Sequence, residues 1–185
     1  SDTTPASTVL MAELFADLLP PGVFNVICGD RSTGALLASH PTPAMVSITG
    51  STRAGKAVAT AAAPNVTRTH LELGGKAPCV VFADADLAAA AEGIAVAGYF
   101  NAGQDCTAAT RVLVHSSVAG DLVAALAEQA AGVRLSRDED GSDDLFIPPV
   151  NNPTQLAHVS GLVERAPAHA SVVTGGAPAS GSGYF

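Results

Sequence analysis

Strand-like and helix-like patterns alternate along nearly the whole chain, and this alternation constrains its architecture more than any other feature. "AMVSITG" (44–50) reads as a strand and "STRAGKAVATAAA" (51–63) as a helix. "THLEL" (69–73) and "PCVVF" (78–82) read as two more strands. A helix follows through "LAAAAEGIAVAGYF" (87–100), with Asp84 or Asp86 as its cap. "TRVLVH" (110–115) is a strand pattern, and "VAGDLVAALAEQAAG" (118–132) is a helix with its apolar residues on one stripe. Upstream, a hydroxyl cap at Thr4 and an early Pro5 start a helix over 6–19, and Pro-Pro-Gly at 20–22 ends it. "VFNVICG" (23–29) is a short β-rich run, and 32–40 is a helix capped by Ser32 or Thr33. Near the end, 155–166 reads as a helix and "SVVTGG" (171–176) as a strand. Such alternation predicts an α/β fold: a mainly parallel sheet covered by helices on both faces.

The charge balance removes several classes of function. With 17 acidic and 9 basic residues the net charge is −8, and no run of Lys or Arg is present. Nucleic acid and anionic membranes are therefore not expected partners. No apolar run is long enough to span a bilayer, and no signal-peptide pattern is present. The three cysteines, Cys28, Cys79 and Cys106, are far apart and lack CxxC spacing, which argues against a disulfide framework or a zinc site and suits a reduced, cytoplasmic setting. The acidic stretch 137–144 lacks the glycine and the bidentate glutamate of a calcium loop, so it reads as solvated and no metal is expected. The tract at 177–183 is flexible by composition.

Three short stretches carry chemistry. Gly50-x-x-x-x-Gly55-Lys56 approaches a P-loop, but Ala57 follows where a magnesium-binding hydroxyl belongs. The loop either holds phosphates at a helix N-terminus, with Gly50 and Ser51 as contacts, or is only an N-cap. In "LELGGKAP" (71–78), Glu72 sits in an apolar strand before two glycines. It is either a buried general base with a raised pKa or a strand-end carboxylate facing water. In "YFNAGQDCTAATR" (99–111), Cys106 follows a glycine-containing turn. It is either a nucleophile favoured by nearby N–H groups or an inert apolar cysteine, the role that Cys28 and Cys79 fit in their strand runs. None of the five histidines has a thiol-protease context. His70 lies two residues before Glu72 and shares its side of the strand.

Together these stretches resemble the aldehyde dehydrogenase superfamily. "LELGGKAP" looks like its glutamate signature, "YFNAGQDCTAAT" like its cysteine signature and "TGSTRAG" like its nucleotide-phosphate loop, while "GVFNVICG", "ASHP" and "VVTGG…GYF" are similar to flanking segments. "NAGQDCTAA" most resembles the γ-aminobutyraldehyde and betaine-aldehyde branches. The resemblance implies parts of two Rossmann-like parallel-sheet domains, with 1–71 the later part of the NAD-binding domain and 72–185 the early part of the catalytic domain. It implies NAD as cofactor, with NADP the less favoured alternative, and an aldehyde substrate, most readily an amino-aldehyde. Cys106 would be the nucleophile and Glu72 the base that activates water. The cofactor would be held by Gly50, Ser51 and Gly55 at its phosphates, by Leu73 and Gly74 beside the nicotinamide, and by Asp2 near the adenosine ribose. Asp105 either steers a cationic aldehyde or is merely solvated. Relatives are over twice as long and assemble as dimers or tetramers, so the chain reads as the middle of such an enzyme, inactive by itself. The alternatives are a non-catalytic relative that binds nucleotide or a partner subunit, and a thiol hydrolase.

Overall fold

The computed structural model describes residues 2–136, 146–180 and 183–185. The acidic stretch at 137–144 lies outside the described residues, as do two positions of the tract at 177–183. The chain divides into two compact units, residues 1–74 and 75–185. The elements are α1 (Ala6–Phe15), α2 (Arg31–Ser39), β1 (Met45–Gly50), α3 (Thr52–Ala62), β2 (Arg68–Leu73), β3 (Pro78–Val81), α4 (Leu87–Tyr99), β4 (Arg111–Val114), α5 (Ala119–Ala131), β5 (Arg134–Leu135), β6 (Phe146–Ile147) and α6 (Pro153–Glu164).

The first unit is built around the β1–α3–β2 crossover. Its two strands pair in parallel with Ser47 opposite His70 and Thr49 opposite Glu72. Burial alternates along β1, with Val46, Ile48 and Gly50 half-buried and the residues between them exposed. The alternation follows from the period of two in a strand. Helix α3 packs close to the crossover at Gly55, which is buried. A Cβ built there would lie 2.7 and 2.8 Å from the two Leu73 methyls. Gly55→Val is therefore expected to overpack this contact and destabilise the protein by about 1–3 kcal/mol. A lowered thermal midpoint, partly recovered by trimming Leu73 to Ala in the same variant, is the check.

In the second unit β3 and β4 pair in parallel, with Cys79 opposite Val112. The α4 and α5 helices cover them around a core of Val81, Ala91, Ile94 and Leu122. Leu122 is 1% exposed, a burial that contributes about 1.5–3 kcal/mol. Asp86 caps α4 by accepting from the Ala88 and Ala89 N–H groups, both at 3.1 Å. Asn152 caps α6 by accepting from the Gln155 N–H at 2.9 Å, with Pro153 at the first helical position, where its missing N–H costs nothing.

Several expectations are corrected. Helix α1 ends at Phe15, and Pro5 stands at its N-cap with no side-chain bond, so the Thr4 hydroxyl does not start it. Residues 23–29 form no strand, because no described segment offers them a ladder partner. Cys28 is accordingly exposed rather than buried in a strand. The cap of α2 is Asp30, not Ser32 or Thr33. The Ser32 hydroxyl and N–H both donate to Asp30, holding its carboxyl below the usual value. Residues 171–176 are not a strand either, since Gly175 and Gly176 turn the backbone left-handed at φ 65° and 76°. Among the described residues the strands form three separate parallel pairs rather than one sheet, and nothing covers the Ser47–His70 face of β1–β2.

Candidate active site

In a parallel βα unit the carboxyl ends of the strands and the following helix N-terminus converge, which is where such folds bind ligands. The first unit brings Gly50, Ser51, Glu72, Leu73 and Gly74 to that end. Gly50 lies opposite Leu73, and the Gly74 N–H donates to the Gly50 carbonyl at 3.4 Å. The Ser51 side chain caps α3 by accepting from the Ala54 N–H at 3.1 Å. Among the described residues the Thr52 and Arg53 N–H groups have no partner. The opening of α3 carries Arg53 and Lys56 and no acidic residue in its first turn. Cations oppose the positive end of the helix dipole, and an anion bound there would offset that repulsion. Asp2 is exposed ahead of α1 and is not bonded to these strand ends.

Glu72 is not a buried carboxyl. Its side chain and that of His70 are each 57% exposed, and Glu72 Oε1 lies 3.1 Å from His70 Nε2. The other ring nitrogen, His70 Nδ1, is 3.0 Å from Ser47 Oγ. Of the two open readings the strand-end carboxylate describes its solvation here, because nothing described covers this face.

Cys106 belongs to the second unit. The chain reaches it from α4 through three consecutive left-handed residues, Asn101, Ala102 and Gly103, at φ 52°, 58° and 70°. Two of these are not glycine, so the turn is conformationally costly and must be held. Gln104 and Asn101 hold it reciprocally: each side-chain amide donates to the other's carbonyl, at 2.9 and 3.1 Å. Gln104 Oε1 also accepts from the Asn151 N–H at 2.8 Å, tying the turn to the segment before α6. Cys106 is exposed at the end of this turn, and among the described residues its backbone N–H meets no acceptor. Cys79 instead packs half-buried against the Val81 core.

Asp105, just before the thiol, accepts from the Thr107 N–H and hydroxyl, both at 2.8 Å. These donors, the N–H first, hold its carboxyl below the usual value, with a smaller contribution from the Cys106 thiol. The stability this adds is complete above the ordinary aspartate range and is lost only as pH falls through the depressed value. Asp105 is thus an anion beside Cys106 throughout the neutral range. Elsewhere in this unit an open cavity of about 360 Å³ is lined by Tyr99, Gly103, Val133, Ile147 and Phe185 but not by Cys106.

The sequence profile of the aldehyde dehydrogenase family matches residues 1–185. The chain belongs to the aldehyde dehydrogenase family. Among solved structures it is similar to the lactaldehyde dehydrogenase of Escherichia coli, at 37% identity and a TM-score of 0.92, over 98% of this chain and 39% of that one. It is similar to the betaine aldehyde dehydrogenase of Staphylococcus aureus in complex with NAD+, at 33% identity and a TM-score of 0.93, over 100% of this chain and 38% of that one. An aldehyde dehydrogenase of Bartonella henselae matches at 35% identity and a TM-score of 0.81, over 86% of this chain and 33% of that one. The chain therefore spans about two fifths or less of the length of these relatives.

As an aldehyde dehydrogenase family chain it has features that sequence reasoning missed. Ser47, as partner to His70, had no signal except its register across β1–β2. The left-handed run at 101–103 was foreshadowed by Asn101 and Gly103, residue types that favour that conformation. The bond from Asn151 to Gln104 had no local signal at all. Among the described residues no group of three His, Cys, Asp or Glu is placed to hold a metal ion, and no helix is long and apolar enough to cross a membrane.

Proposed function

We propose that the protein oxidises an aldehyde to its carboxylic acid with NAD through a covalent intermediate on Cys106. The observation that carries this reading is the exposed Cys106 on a braced, left-handed turn, in a chain whose Glu72 stands at the carboxyl end of a βα strand pair. Cys106 Sγ, as thiolate, bonds to the carbonyl carbon, and the oxygen becomes an oxyanion to which the free Cys106 N–H donates. When bound, the nicotinamide dinucleotide supplies the hydride acceptor. As hydride leaves the carbon, Cys106 is left carrying a thioester. Glu72 takes a proton from water, the water oxygen attacks the thioester carbon, the C–S bond breaks, and the acid departs from a regenerated thiolate. Mixing the full-length protein with NAD and aldehyde tests this: reduced nicotinamide and an acyl adduct on Cys106 are expected. Ester hydrolysis without NAD reduction would instead identify a thiol hydrolase.

The first unit suits this cofactor. The uncapped N–H groups of Thr52 and Arg53 and the cationic opening of α3 fit a diphosphate, with Gly50 and Ser51 alongside. Gly55 supports the loop by letting α3 approach Leu73. A Cβ at Gly74 would meet nothing within 4 Å, which leaves room for a ring to lie against the backbone there. Asp2 would accept from the ribose 2′-hydroxyl and repel a 2′-phosphate. Asp2→Ser in the full-length protein is accordingly expected to narrow the preference for NAD over NADP, read as the ratio of the two dissociation constants; an unchanged ratio would remove Asp2 from cofactor choice.

The substrate we favour is a cationic amino-aldehyde, because Asp105 keeps its charge beside the nucleophile across the neutral range. Asp105→Asn is expected to lower kcat/KM for a cationic aldehyde about 2- to 5-fold, as for other exposed charge pairs, and to leave a neutral aldehyde of similar length unaffected. An equal change for both substrates would mean that Asp105 only shapes the turn.

A further inference from the structure

The structure assigns His70 as a positioning residue for Glu72, oriented in turn by Ser47; this rests on the role proposed above for Glu72. The three side chains form a continuous array across β1 and β2, from Ser47 Oγ to His70 Nδ1 at 3.0 Å and from His70 Nε2 to Glu72 Oε1 at 3.1 Å. Strand geometry produces it: positions 70 and 72 lie on one face of β2, and parallel register sets Ser47 beside His70 on that face. For a neutral His70 ring to donate to the carboxylate from Nε2, its Nδ1 must accept, and the Ser47 hydroxyl is the donor in place to do so. Ser47 thereby selects the tautomer in which the ring N–H faces Glu72.

The array is not a hydrolase triad. Ser47 lies in the middle of β1, within the strand ladder rather than at its turn into α3, where free N–H groups could stabilise an oxyanion. Its effect is on Glu72, a flexible carboxylate at an exposed strand end that gains an anchor from the ring. The other charged group on this face of β2 is Arg68; β1 has no titratable side chain, and α3 contributes Arg53 and Lys56 to the unit. Among the described residues His70 is the only one that pairs with Glu72.

The test uses the full-length protein and follows the Cys106 thioester by quenched-flow mass spectrometry. His70→Val is expected to slow thioester decay about 2- to 5-fold, the scale of an exposed pair, and to leave the rate of thioester formation unchanged. His70→Gln, which retains a donor, recovers part of the loss, and Ser47→Ala reproduces a smaller part. In a Glu72→Gln background, His70→Val slows decay no further, because its effect passes through the carboxylate. Decay unchanged by His70→Val overturns the assignment, as does an equal slowing in the Glu72→Gln background or a parallel fall of formation and decay. Failure of the underlying reading looks different: no thioester forms in the parent protein, or Glu72→Gln decays at the parent rate. The ¹⁵N shifts of the His70 ring test the geometry without catalysis. The Nε2-protonated tautomer is expected, and the Nδ1-protonated one overturns the assignment.

Discussion

Replacing Cys106 by alanine in the full-length protein is expected to lower aldehyde oxidation by about 10⁴-fold or more, the scale seen when a nucleophile is removed. No acyl adduct should then be recovered by mass spectrometry. Serine should serve almost as poorly: a thiol is partly ionised near neutral pH and highly nucleophilic, whereas an unassisted hydroxyl is not. The fold should be preserved, because Cys106 is exposed and no core contact depends on it. An unchanged thermal midpoint therefore accompanies the loss of activity. The other cysteines provide the contrast. Cys28 is exposed and Cys79 packs on the Val81 core, so Cys28→Ser should change neither activity nor stability, whereas Cys79→Ser should lower stability alone. If Cys106→Ala retained full activity, thioester chemistry at this position would be ruled out.

Glu72→Gln is expected to have the second largest effect, and on one half of the reaction only. Glutamine matches the shape of the side chain but does not accept a proton from water. Hydrolysis of the thioester should slow by about 10²- to 10⁴-fold, as for loss of a general base. Formation of the thioester and the accompanying hydride transfer should continue. The protein would then give a single burst of reduced nicotinamide, stoichiometric with Cys106, followed by near arrest. The acyl adduct, short-lived in the parent, should accumulate and be observed directly. A burst lost together with turnover would mean that Glu72 acts earlier or only supports the fold, and its exposure at the end of β2 argues against the second of these.

The central crossover was legible because its signals are local. The strand-like run at 44–50, Ser51 before an alanine-rich stretch and the strand-like run at 69–73 each describe their own few residues, and the structure forms β1, α3 and β2 there, to within a residue at the strand starts. The same holds for Asp86 at the start of α4. The strands expected at 23–29 and 171–176 failed because a strand needs a neighbour, and sequence pattern does not name one. The sequence left the solvation of Glu72 open for a related reason. An apolar strand pattern predicts burial only when another layer lies over it, and here the face that carries Ser47, His70 and Glu72 is open.

What the sequence by itself determined was the chemistry available and its local setting: a thiol after a glycine-bearing turn, a carboxylate before two glycines, and a hydroxyl at the start of a helix. Only the tertiary structure decided which of these atoms meet. Parallel register brought Ser47 to His70 across 23 positions of chain, and the approach of the segment before α6 brought Asn151 to Gln104 across 47. Hydrogen bonds act over about 3 Å in space, whatever the separation along the chain, so contacts of this kind leave no mark on the local pattern.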